Sequence, residues 1–482
     1  MRLTDLLKNL EIKQIEGEIE QVEISDLVIN ANQACNGSLF ICLEGNDYDG
    51  HDFIAEAEKY GAKAVVVTRK CQTYLPQIIV SDTRKATSIL AKTFYGNPDE
   101  KVKVIGVFGT NGKTTVTHMI TSVLTNSGVK CGLIGTLGIY YNGKIIESTL
   151  TTPDPILLFK TLKDMNECGV EAVIMEVSAH AVYYDKVYGI NFHLLVFTNF
   201  SQDHLDFFGD MEKYKSAKLK LVKEGKYKGL VTNVDDALGR EIALEYPKSL
   251  TYGINMPSDV FAINVQEKKN GVSFVINLFD TIYNVNLDLL GEFNVYNALA
   301  SATVSALYGI KTGKIIKGIE NLKGVSGRVE NVYHGDYNVY IDYAHTPDGL
   351  EKVLKTIRKI TKGKLISLFG CGGNRDKSKR TIMGEISALN SDFTIVTSDN
   401  PRFEEPISIM REIENGVLKH TLNYILIEDR SRAIKYALDM MTEGDSLLIA
   451  GKGAENYQEI YGIKRVYNDK DTVKELMEEY RD

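Results

Sequence analysis

The chain has 482 residues, of which 44% are apolar and 25% are charged, and its formal net charge is −8. A domain holds about 150 residues, so this length suggests about three domains, and the composition is that of a folded globular protein rather than a disordered or fibrous one. The acidic balance, without a basic tail, argues against non-specific binding to nucleic acid, so an anionic ligand needs a local positive site.

The cysteines and the apolar segments indicate a soluble protein of the cytoplasm. Six cysteines are scattered along the chain, without a C-x-x-C pair or histidines at the spacing of a zinc site, which favours free thiols in a reducing compartment. The first 21 residues lack the uncharged apolar stretch of a signal peptide. No apolar run approaches the roughly 18 to 20 residues that a membrane span needs.

Apolar runs of strand length alternate with helical patterns, which predicts an α/β fold. Many of these runs are apolar on both faces, as parallel strands between helix layers are. The pattern breaks at Gly96-Asn97-Pro98 and at Gly324–Gly327, so we predict domains at residues 1–98, 99–324 and 325–482. The predicted strands are Ala64–Val67, Val102–Phe108, Ala172–Met175, Leu194–Thr198, Val339–Ile341, Leu365–Phe369, Phe393–Thr397 and Ser446–Ala450.

Residues 260–290 predict antiparallel hairpins late in the central domain. Apolar residues alternate with polar ones on both sides of a turn at Asn270-Gly271. The two alternating sets are Phe261, Ile263 and Val265, and Val272, Phe274 and Ile276.

Residues 104–115 predict a phosphate-binding loop, because a strand leads into the turn Gly109-Thr110-Asn111-Gly112-Lys113-Thr114-Thr115 and then into a helix that ends near Asn126. Backbone N–H groups of such a turn surround phosphate oxygens, Lys113 reaches the β and γ phosphates, and the hydroxyl of Thr114 or Thr115 can hold Mg²⁺. The spacing departs from G-x-x-x-x-G-K-[ST], because Val107 stands where the first glycine would be. A simple connecting turn is the alternative, but the lysine and the threonines favour nucleotide binding.

Two further polar segments, Glu176–His180 and Asn199–Asp206, directly follow predicted strands. Ligands bind at the carboxyl ends of the strands in an open α/β sheet, so Glu176 and His204 are expected in the same crevice as Lys113. Glu176 would give Mg²⁺ a hard oxygen ligand. Taken alone, however, such a glutamate is as often a solvated loop residue, and a lone histidine is more often structural.

The loop at Gly109–Thr115 resembles that of the Mur ligase family, the ATP-dependent, amide-forming enzymes of peptidoglycan precursor synthesis. Further matching segments follow in the family's order, so the resemblance runs from about residue 37 to residue 465. It implies an N-terminal UDP-binding domain, a central P-loop domain that binds ATP on a parallel sheet, and a C-terminal Rossmann-like domain that binds an amino acid. The segments are Gly37–Phe40, Asp49–Phe53, Thr151–Pro155, Gly291–Ala298, Gly327-Arg328, Asp342–Asp348, Gly370–Asp376 and Gly451–Glu455.

This resemblance assigns residues to ATP and to metal. The P-loop residues would bind ATP together with Asn294, Asn297, Arg328 and Asp342, although each of these alone would be taken for a cap or a surface residue. Lys218 stands where the family carries a lysine carbamylated by CO₂, whereas the sequence alone makes it one of several lysines on a solvated helix face. The expected ligands of two Mg²⁺ ions are Thr114, Glu176, His204 and carbamylated Lys218, and the expected catalytic residues are Lys113, Lys218, Glu176 and His204.

The resemblance also implies the reaction, in which meso-diaminopimelate is added to UDP-MurNAc-L-Ala-D-Glu through an acyl phosphate. Arg402 is expected to meet the distal carboxylate of the amino acid, since a planar guanidinium suits a carboxylate. The expected amino-acid pocket comprises Arg375, Asp399, Asn400, Pro401, Arg402, Gly451 and Glu455. The expected contacts to the UDP-sugar peptide are Thr151, Thr152, Ser178 and Lys186.

Four residues depart from the family pattern, mostly around the nucleotide sugar. Ala31 replaces a serine, Leu150 an asparagine, Tyr184 a glutamine and Lys186 an arginine. Lysine keeps the charge of arginine but loses its bidentate geometry.

Three alternatives stay open at this point: a lysine-adding ligase, a diverged relative with another acyl substrate, and a P-loop switch or motor. The motifs of the C-terminal third argue against a switch, which has no use for an amino-acid pocket. We expect small-molecule substrates only, with no nucleic acid or membrane partner, and a monomer.

Overall fold

The computed structural model describes residues 1–45, 48–148 and 150–479, and strands alternate with helices along most of it. The α/β class is therefore as predicted. The chain divides into two compact units, one formed by Met1–Phe108, Val129–Leu195 and Ala217–Leu230, the other by Gly109–Gly128, Val196–Ser216 and Val231–Asp482. Among the described residues, no helix combines the length and the apolar character that a membrane crossing requires.

The strands, in chain order, are β1 Gln14–Glu16, β2 Asp26–Val28, β3 Ser38–Ile41, β4 Ala62–Val67, β5 Gln77–Ile79, β6 Lys103–Phe108, β7 Cys131–Gly135, β8 Gly138–Tyr141, β9 Lys144–Ile146, β10 Ala172–Glu176, β11 Asn191–Phe197, β12 Lys226–Asn233, β13 Leu250–Gly253, β14 Val260–Lys268, β15 Gly271–Leu278, β16 Thr281–Leu287, β17 Glu330–His334, β18 Asn338–Asp342, β19 Leu365–Phe369, β20 Phe393–Val396, β21 Tyr424–Leu426, β22 Ser446–Ala450, β23 Tyr457–Ile460 and β24 Ile463–Val466.

The α-helices are α1 Leu3–Leu6, α2 Ile54–Lys59, α3 Thr83–Phe94, α4 Lys113–Asn126, α5 Pro155–Glu167, α6 Ala179–Tyr183, α7 Leu205–Phe208, α8 Met211–Glu224, α9 Ala237–Glu245, α10 Phe293–Tyr308, α11 Thr312–Glu320, α12 Pro347–Ile360, α13 Ser378–Asn390, α14 Pro406–Val417, α15 Arg430–Asp439 and α16 Asp469–Glu479.

The first unit contains an N-terminal sheet with the strand order β1-β5-β4-β3-β2, in which only β1 runs antiparallel to its neighbour. In the same unit, β10 lies between β6 and β7 and pairs in parallel with both. The register places Glu176 opposite Val107, so Glu176 stands at the carboxyl edge of this parallel set, as predicted.

Two antiparallel strands, β8 and β9, extend the parallel set beyond β7 and were not predicted. The hairpin between them turns at Asn142 and Gly143, which have φ angles of 48° and 73°. Positive φ at both positions is typical of the type I′ turns that join two antiparallel strands, and Asn-Gly is their preferred sequence. The dipeptide was therefore a usable signal.

The second unit contains the predicted hairpins, as β14, β15 and β16. The set on β15 is buried as the alternation predicts, but on β14 the buried residues are Val260 and Ala262, and Ile263 is 49% exposed. The pairing register between β14 and β15 shifts after Ile263, where Asn264 takes a φ of 54°. Such a bulge changes which face the following residues occupy.

The C-terminal sheet has the order β17-β18-β22-β19-β20-β21, with all strands parallel except the edge strand β17, which was not predicted. Side chains of β19 alternate between two cores: Leu365 and Phe369 pack with α12, α13 and α14, whereas Ile366 and Leu368 pack with α15 and α16. The expectation of strands apolar on both faces between two helix layers is thus confirmed for this sheet.

This topology places four motifs at one edge of the C-terminal sheet. Neighbouring strands β18, β22, β19 and β20 all end at that edge. A motif follows each of them directly, and these motifs are Asp342–Asp348, Gly451–Glu455, Gly370–Asp376 and Asp399–Arg402.

Candidate active site

The P-loop turn can be built only with glycine at two positions. Gly109 and Gly112 have φ angles of 141° and 85°, a region that side chains with a Cβ rarely adopt. A Cβ on Gly109 would lie 2.0 Å from Oγ1 of Thr198, and a Cβ on Gly112 would lie 2.6 Å from Oδ1 of Asn297. The close packing fixes the turn immediately before α4 begins at Lys113.

The segment after β11 holds the P-loop in place. The Thr198 hydroxyl donates to the carbonyl of Asn111 at 2.7 Å, and the Asn111 N–H donates to Oδ1 of Asn199 at 2.9 Å. Lys113 donates from Nζ to the carbonyls of Gly109 and Thr110, at 3.1 and 2.8 Å. Sequence reasoning had singled out neither Thr198 nor Asn199 as support for this loop.

Arg328 contacts the P-loop helix directly. Its Nη2 donates to the Thr114 hydroxyl at 2.9 Å, and its guanidinium lies 4.6 Å from the centre of the Tyr343 ring. Asp342 supports this arrangement, because its carboxylate accepts the N–H groups of Val329 and Ala344, both at 2.7 Å. Burial raises the pKa of Asp342, although the nearby charge of Arg328 opposes this effect.

The two predicted asparagines of α10 lie side by side, since Nδ2 of Asn297 donates to Oδ1 of Asn294 at 2.8 Å. Both are buried, and Asn297 is the residue against which Gly112 packs. On the other side of the loop, Nδ2 of Asn111 donates to Asp348 at 3.0 Å. Asp348 belongs to a matched motif, but it had been given no role.

His204 lies beside a buried carboxylate that the sequence did not single out. Its Nε2 is 3.2 Å from Oδ2 of Asp203, and Nε2 of His345 is 3.6 Å from the same oxygen. Burial acts to raise the pKa of Asp203. This effect is outweighed by the hydrogen bond and positive charge of His345 and by the charge of His204, which hold the pKa of Asp203 well below its usual range. Both imidazoles thus face the same carboxylate oxygen of Asp203.

Glu176 is fully buried and is held by Thr136. The Thr136 N–H donates to Oε1 at 2.9 Å and its hydroxyl donates to Oε2 at 3.2 Å. Gly135 allows this approach, because a Cβ there would lie 2.3 Å from Oε1 of Glu176. The hydroxyl of Thr151 lies 3.1 Å from that of Thr136, so the predicted substrate motif reaches the same network.

The other residues predicted for the UDP-sugar peptide also lie around the end of β10. The Thr152 hydroxyl donates to the carbonyl of Glu176 at 2.9 Å and accepts the N–H of Ser178 at 3.0 Å. Lys186 forms an ion pair with Asp154 at 2.7 Å. This arrangement connects the motif that begins at Thr151 with the loop that follows β10.

Three of the departures from the family pattern have clear surroundings. Ala31 is buried in the apolar core of the N-terminal sheet. The Tyr184 ring packs on the guanidinium of Arg84, 4.4 Å from it, and Leu150 is largely exposed.

Lys218, which the sequence alone places on a solvated helix face, is instead only 2% exposed on α8. That interpretation of Lys218 was wrong, because the face of α8 that carries it is packed rather than solvated.

Two residues of the predicted amino-acid pocket, Asn400 and Glu455, form a hydrogen-bond network with a lysine that had no predicted role. Lys452 is fully buried and donates from Nζ to Oδ1 of Asn400 at 3.1 Å and to Glu455 at 2.9 Å. The amide of Asn400 donates to the same carboxylate oxygen of Glu455 at 2.9 Å. Gly451 fits beside Asp399, since a Cβ on Gly451 would lie 2.8 Å from Oδ2 of Asp399.

Arg402 lies at the end of this network, with its backbone in the left-handed region at a φ of 52°. Its Nη1 donates to the carbonyl of Gly373 at 2.8 Å, and its Nε lies 3.5 Å from the carboxylate of Glu459. Arg375, also predicted for the pocket, is half-exposed and lies 3.5 Å from Asp206. The guanidinium of Arg402 is thus held between a carbonyl and a carboxylate at the strand edge.

An ion pair of the buried Arg380 joins α13, the helix after β19, to the loop after β20. Arg380 is fully buried and donates to both oxygens of Glu404, at 3.0 and 2.9 Å, and to Glu412 at 3.0 Å. The N–H of Asn374 also donates to Glu404. The hydrogen bond from Arg380 is the main reason that the pKa of Glu404 falls to about 2.

Two of the predicted magnesium ligands, Glu176 and Thr114, carry donors that suit this ion. The Glu176 carboxylate is buried and oriented by Thr136, and the Thr114 hydroxyl is oriented by Arg328. Carboxylate and hydroxyl oxygens are the hard ligands that Mg²⁺ prefers.

Comparison with known proteins decides the family. Sequence models match the Mur ligase catalytic domain at residues 23–95, the Mur ligase middle domain at 107–305 and the Mur ligase glutamate ligase domain at 327–453. A protein of Clostridium acetobutylicum named UDP-N-acetylmuramoyl-L-alanyl-D-glutamate--2,6-diaminopimelate ligase 1 is 43% identical over 99% of this chain and 100% of its own length. The chain belongs to the Mur ligase family. It is therefore a ligase, and the alternative of a nucleotide switch is set aside.

Other Mur ligases agree in sequence and fold. The 2,6-diaminopimelate ligase of Aquifex aeolicus is 42% identical over 94% of both chains. A solved 2,6-diaminopimelate ligase superposes with a TM-score of 0.69 at 28% identity and covers 99% of this chain and 98% of its own. MurF ligase from Thermotoga maritima, solved in complex with ADP, shares the fold with a TM-score of 0.64 at 21% identity, over 96% of this chain and 99% of its own. The expected three-domain α/β architecture is confirmed.

Proposed function

We propose that this Mur ligase uses ATP to add meso-diaminopimelate to the D-glutamate residue of UDP-MurNAc-L-Ala-D-Glu. The observation that carries this proposal is the Asp399–Arg402 turn at the end of β20, where the Arg402 guanidinium is held by Gly373 and Glu459. A guanidinium in that position suits the second carboxylate of diaminopimelate, which lysine lacks. Relatives of more than 40% identity that carry this activity in their names support the same substrate.

The reaction has two steps. The side-chain carboxylate of D-glutamate attacks the γ phosphorus of ATP, which gives an acyl phosphate and ADP. The neutral amine of diaminopimelate then attacks the acyl carbon, and inorganic phosphate leaves as the amide forms. A carboxylate is a poor electrophile, so the phosphoryl group supplies the leaving group that the amide bond requires.

The P-loop supplies the positive site that an acidic protein needs for ATP. We assign phosphate binding to Gly109, Thr110, Asn111, Gly112, Lys113, Thr114 and Thr115, supported by the glycine geometry of the turn and by the position of Lys113 at the start of α4. The charge of Lys113 and the N-terminus of α4 stabilise the negative charge of the transferring phosphoryl group. Arg328 joins them through Thr114, while Asn294, Asn297 and Asp342 shape the surrounding walls.

We assign two Mg²⁺ ions to Thr114, Glu176, His204 and Lys218 in its carbamylated form. Mg²⁺ held by these residues would neutralise the charge of the phosphate groups. Burial of Lys218 supports the carbamate, because an ammonium is rarely buried this completely, whereas a carbamate bound to metal is compensated. Mass spectrometry of protein equilibrated with isotope-labelled bicarbonate tests this assignment, and absence of label on Lys218 contradicts it.

Each of the three substrates is assigned to one of the three predicted domains. We assign the uridine end of the UDP-sugar peptide to residues 1–98, ATP to 99–324 and the amino acid to 325–482. Thr151, Thr152, Ser178 and Lys186 bind the peptide end, supported by their grouping around β10. The amino-acid pocket is formed by Arg375, Asp399, Asn400, Pro401, Arg402, Gly451 and Glu455. A cytoplasmic location is supported by the free thiols of all six cysteines.

Mass analysis of products tests the function. The protein is supplied with UDP-MurNAc-L-Ala-D-Glu, ATP and each of a panel of amino acids that includes meso-diaminopimelate and L-lysine. We expect a new amide only with diaminopimelate, and ADP only when the UDP-sugar peptide is present. Preferential addition of lysine, or ADP release without the acceptor acid, contradicts the proposal.

A further inference from the structure

A short hairpin outside the predicted motifs packs against the turn that carries Arg402. It consists of β23 and β24, which pair antiparallel over residues 457–466 and follow the Gly451–Glu455 segment in the chain. Neither strand belongs to the C-terminal sheet. The hairpin is therefore an accessory element.

The hairpin incorporates Arg402 by backbone pairing. The Arg402 N–H donates to the carbonyl of Glu459 at 3.1 Å, and the Tyr461 N–H donates to the carbonyl of Arg402 at 2.6 Å. These bonds form a parallel bridge between Arg402 and Ile460. Arg402 thus behaves as a one-residue strand on the edge of the hairpin.

This pairing accounts for the unusual backbone of Arg402. A left-handed conformation is unfavourable for a residue with a Cβ, and it persists only where surrounding contacts impose it. The two hydrogen bonds to the hairpin are such contacts. They fix the direction in which the Arg402 side chain leaves the turn.

Two further hydrogen bonds attach Asp399 and Asn400 of the turn to the hairpin. The Gln458 carboxamide donates from Nε2 to the carbonyl of Asp399 at 2.8 Å, and the Glu459 N–H donates to Oδ1 of Asn400 at 2.9 Å. Lys452 donates to that same oxygen of Asn400. The hairpin therefore holds three residues of the turn, and Gln458 is its side-chain contact to the first of them.

We propose that Gln458 is a positioning residue for amino-acid recognition, which orients the Asp399–Arg402 turn so that Arg402 meets the second carboxylate of the incoming diamino acid. This inference rests on the proposed function. Gln458 is suited to the role because its side chain bonds the backbone carbonyl of Asp399. Glu459 lies 3.5 Å from the guanidinium of Arg402, so substitution of Glu459 would also change the charge there. The Gln458 contact spans 59 residues of sequence, so no local pattern reveals it.

Steady-state kinetics of the full-length enzyme test the proposal. Gln458→Ala should raise the KM for meso-diaminopimelate roughly tenfold, the effect of one lost hydrogen bond with a buried partner, while the KM for ATP changes less than about twofold. Gln458→Met keeps the approximate length of the side chain and removes the donor without adding a charge, so it should act in the same direction. Val466→Ala, on the exposed strand of the same hairpin, is the matched control and should leave both constants unchanged.

A double variant separates positioning from general damage. In an Arg402→Ala background the turn no longer presents a guanidinium, so adding Gln458→Ala should change the KM for diaminopimelate less than about twofold. An equal effect in both backgrounds, or an unchanged KM in Gln458→Ala alone, overturns the proposal. Failure of the wild-type enzyme to add diaminopimelate is a separate outcome, which overturns the proposed function and this inference with it.

Discussion

Thr136 donates a hydrogen bond to each carboxylate oxygen of Glu176, from its backbone N–H to Oε1 and from its hydroxyl to Oε2. A carboxylate is only an acceptor, so the single hydroxyl proton of Thr136 is committed to Glu176. The Thr151 hydroxyl, 3.1 Å from that of Thr136, must then be the donor of their shared bond. The hydrogen bonds are therefore donated in one direction, from Thr151 of the predicted substrate motif to Thr136 and from Thr136 to the predicted metal ligand Glu176.

Substitution of Thr136 should weaken metal use. Thr136→Val keeps the size of the side chain but removes the hydroxyl, so we expect the Mg²⁺ concentration for half-maximal activity to rise about tenfold, as is typical when a residue that orients a metal ligand is lost. Thr136→Ser keeps the hydroxyl and should stay within about twofold of the wild type.

Direct metal binding provides the second readout for Thr136. Electron paramagnetic resonance of Mn²⁺, with a non-hydrolysable ATP analogue present, should show weaker binding for Thr136→Val and nearly normal binding for Thr136→Ser. Equal Mn²⁺ affinity in both variants would show that Thr136 does not orient the ligand. Loss of binding in Glu176→Ala is the positive control.

Removal of the P-loop lysine should stop the first chemical step. Lys113→Ala takes away the charge beside the predicted phosphate site, so ADP formation should fall more than about a hundredfold. Lys130→Ala, an exposed lysine beyond the far end of α4, is the matched control and should keep normal rates. The measurement is ADP release in the presence of all three substrates, and substantial release by Lys113→Ala would contradict the role of this loop.

Arg402 should control the choice of amino acid. Arg402→Ala should raise the KM for meso-diaminopimelate by about 10- to 100-fold, the range for a lost hydrogen bond between charged groups, and leave the KM for ATP nearly unchanged. Arg402→Lys keeps the charge without the planar fork, so its KM should be intermediate. Competition between diaminopimelate and lysine measures the selectivity, and an unchanged preference in Arg402→Ala would place the recognition of the carboxylate elsewhere.

The sequence predicted those parts of the site whose signals are local. Gly109 and Gly112 mark the P-loop because their backbone angles and tight packing exclude other residues. The motifs that contain Asp342 and Arg402 could be placed at one sheet edge because the ends of parallel strands meet there.

The supporting contacts could not be predicted, since they join residues that are distant in the chain. Thr136 and Glu176 are 40 positions apart, and Lys452 and Asn400 are 52 apart. Threonine and lysine are common on protein surfaces, so their identity alone carries no signal. The bulge at Asn264 had no local signal either, because the alternation of Phe261, Ile263 and Val265 runs through it without a break.

Acidification should weaken the attachment between the loops that carry Arg375 and Arg402. Arg380 holds Glu404, and the pKa of Glu404 is lowered from 4.5 to about 2 in the folded protein. A depressed pKa means that the unfolded chain binds the proton more readily, so this contribution to stability is complete above pH 4.5 and is lost as the pH falls towards about 2.

Urea unfolding of the wild type and Glu404→Gln between pH 7 and pH 3 measures this contribution. At pH 7 the variant should be less stable by about 1 to 3 kcal/mol, because buried Arg380 loses a charged partner. The difference should shrink steadily on acidification, since Glu404 of the wild type then loses its charge as well. Glu443→Gln, at an exposed glutamate, is the control and should show no such trend. A difference between wild type and Glu404→Gln that stays constant across this range would show that the charge of Glu404 does not stabilise the fold.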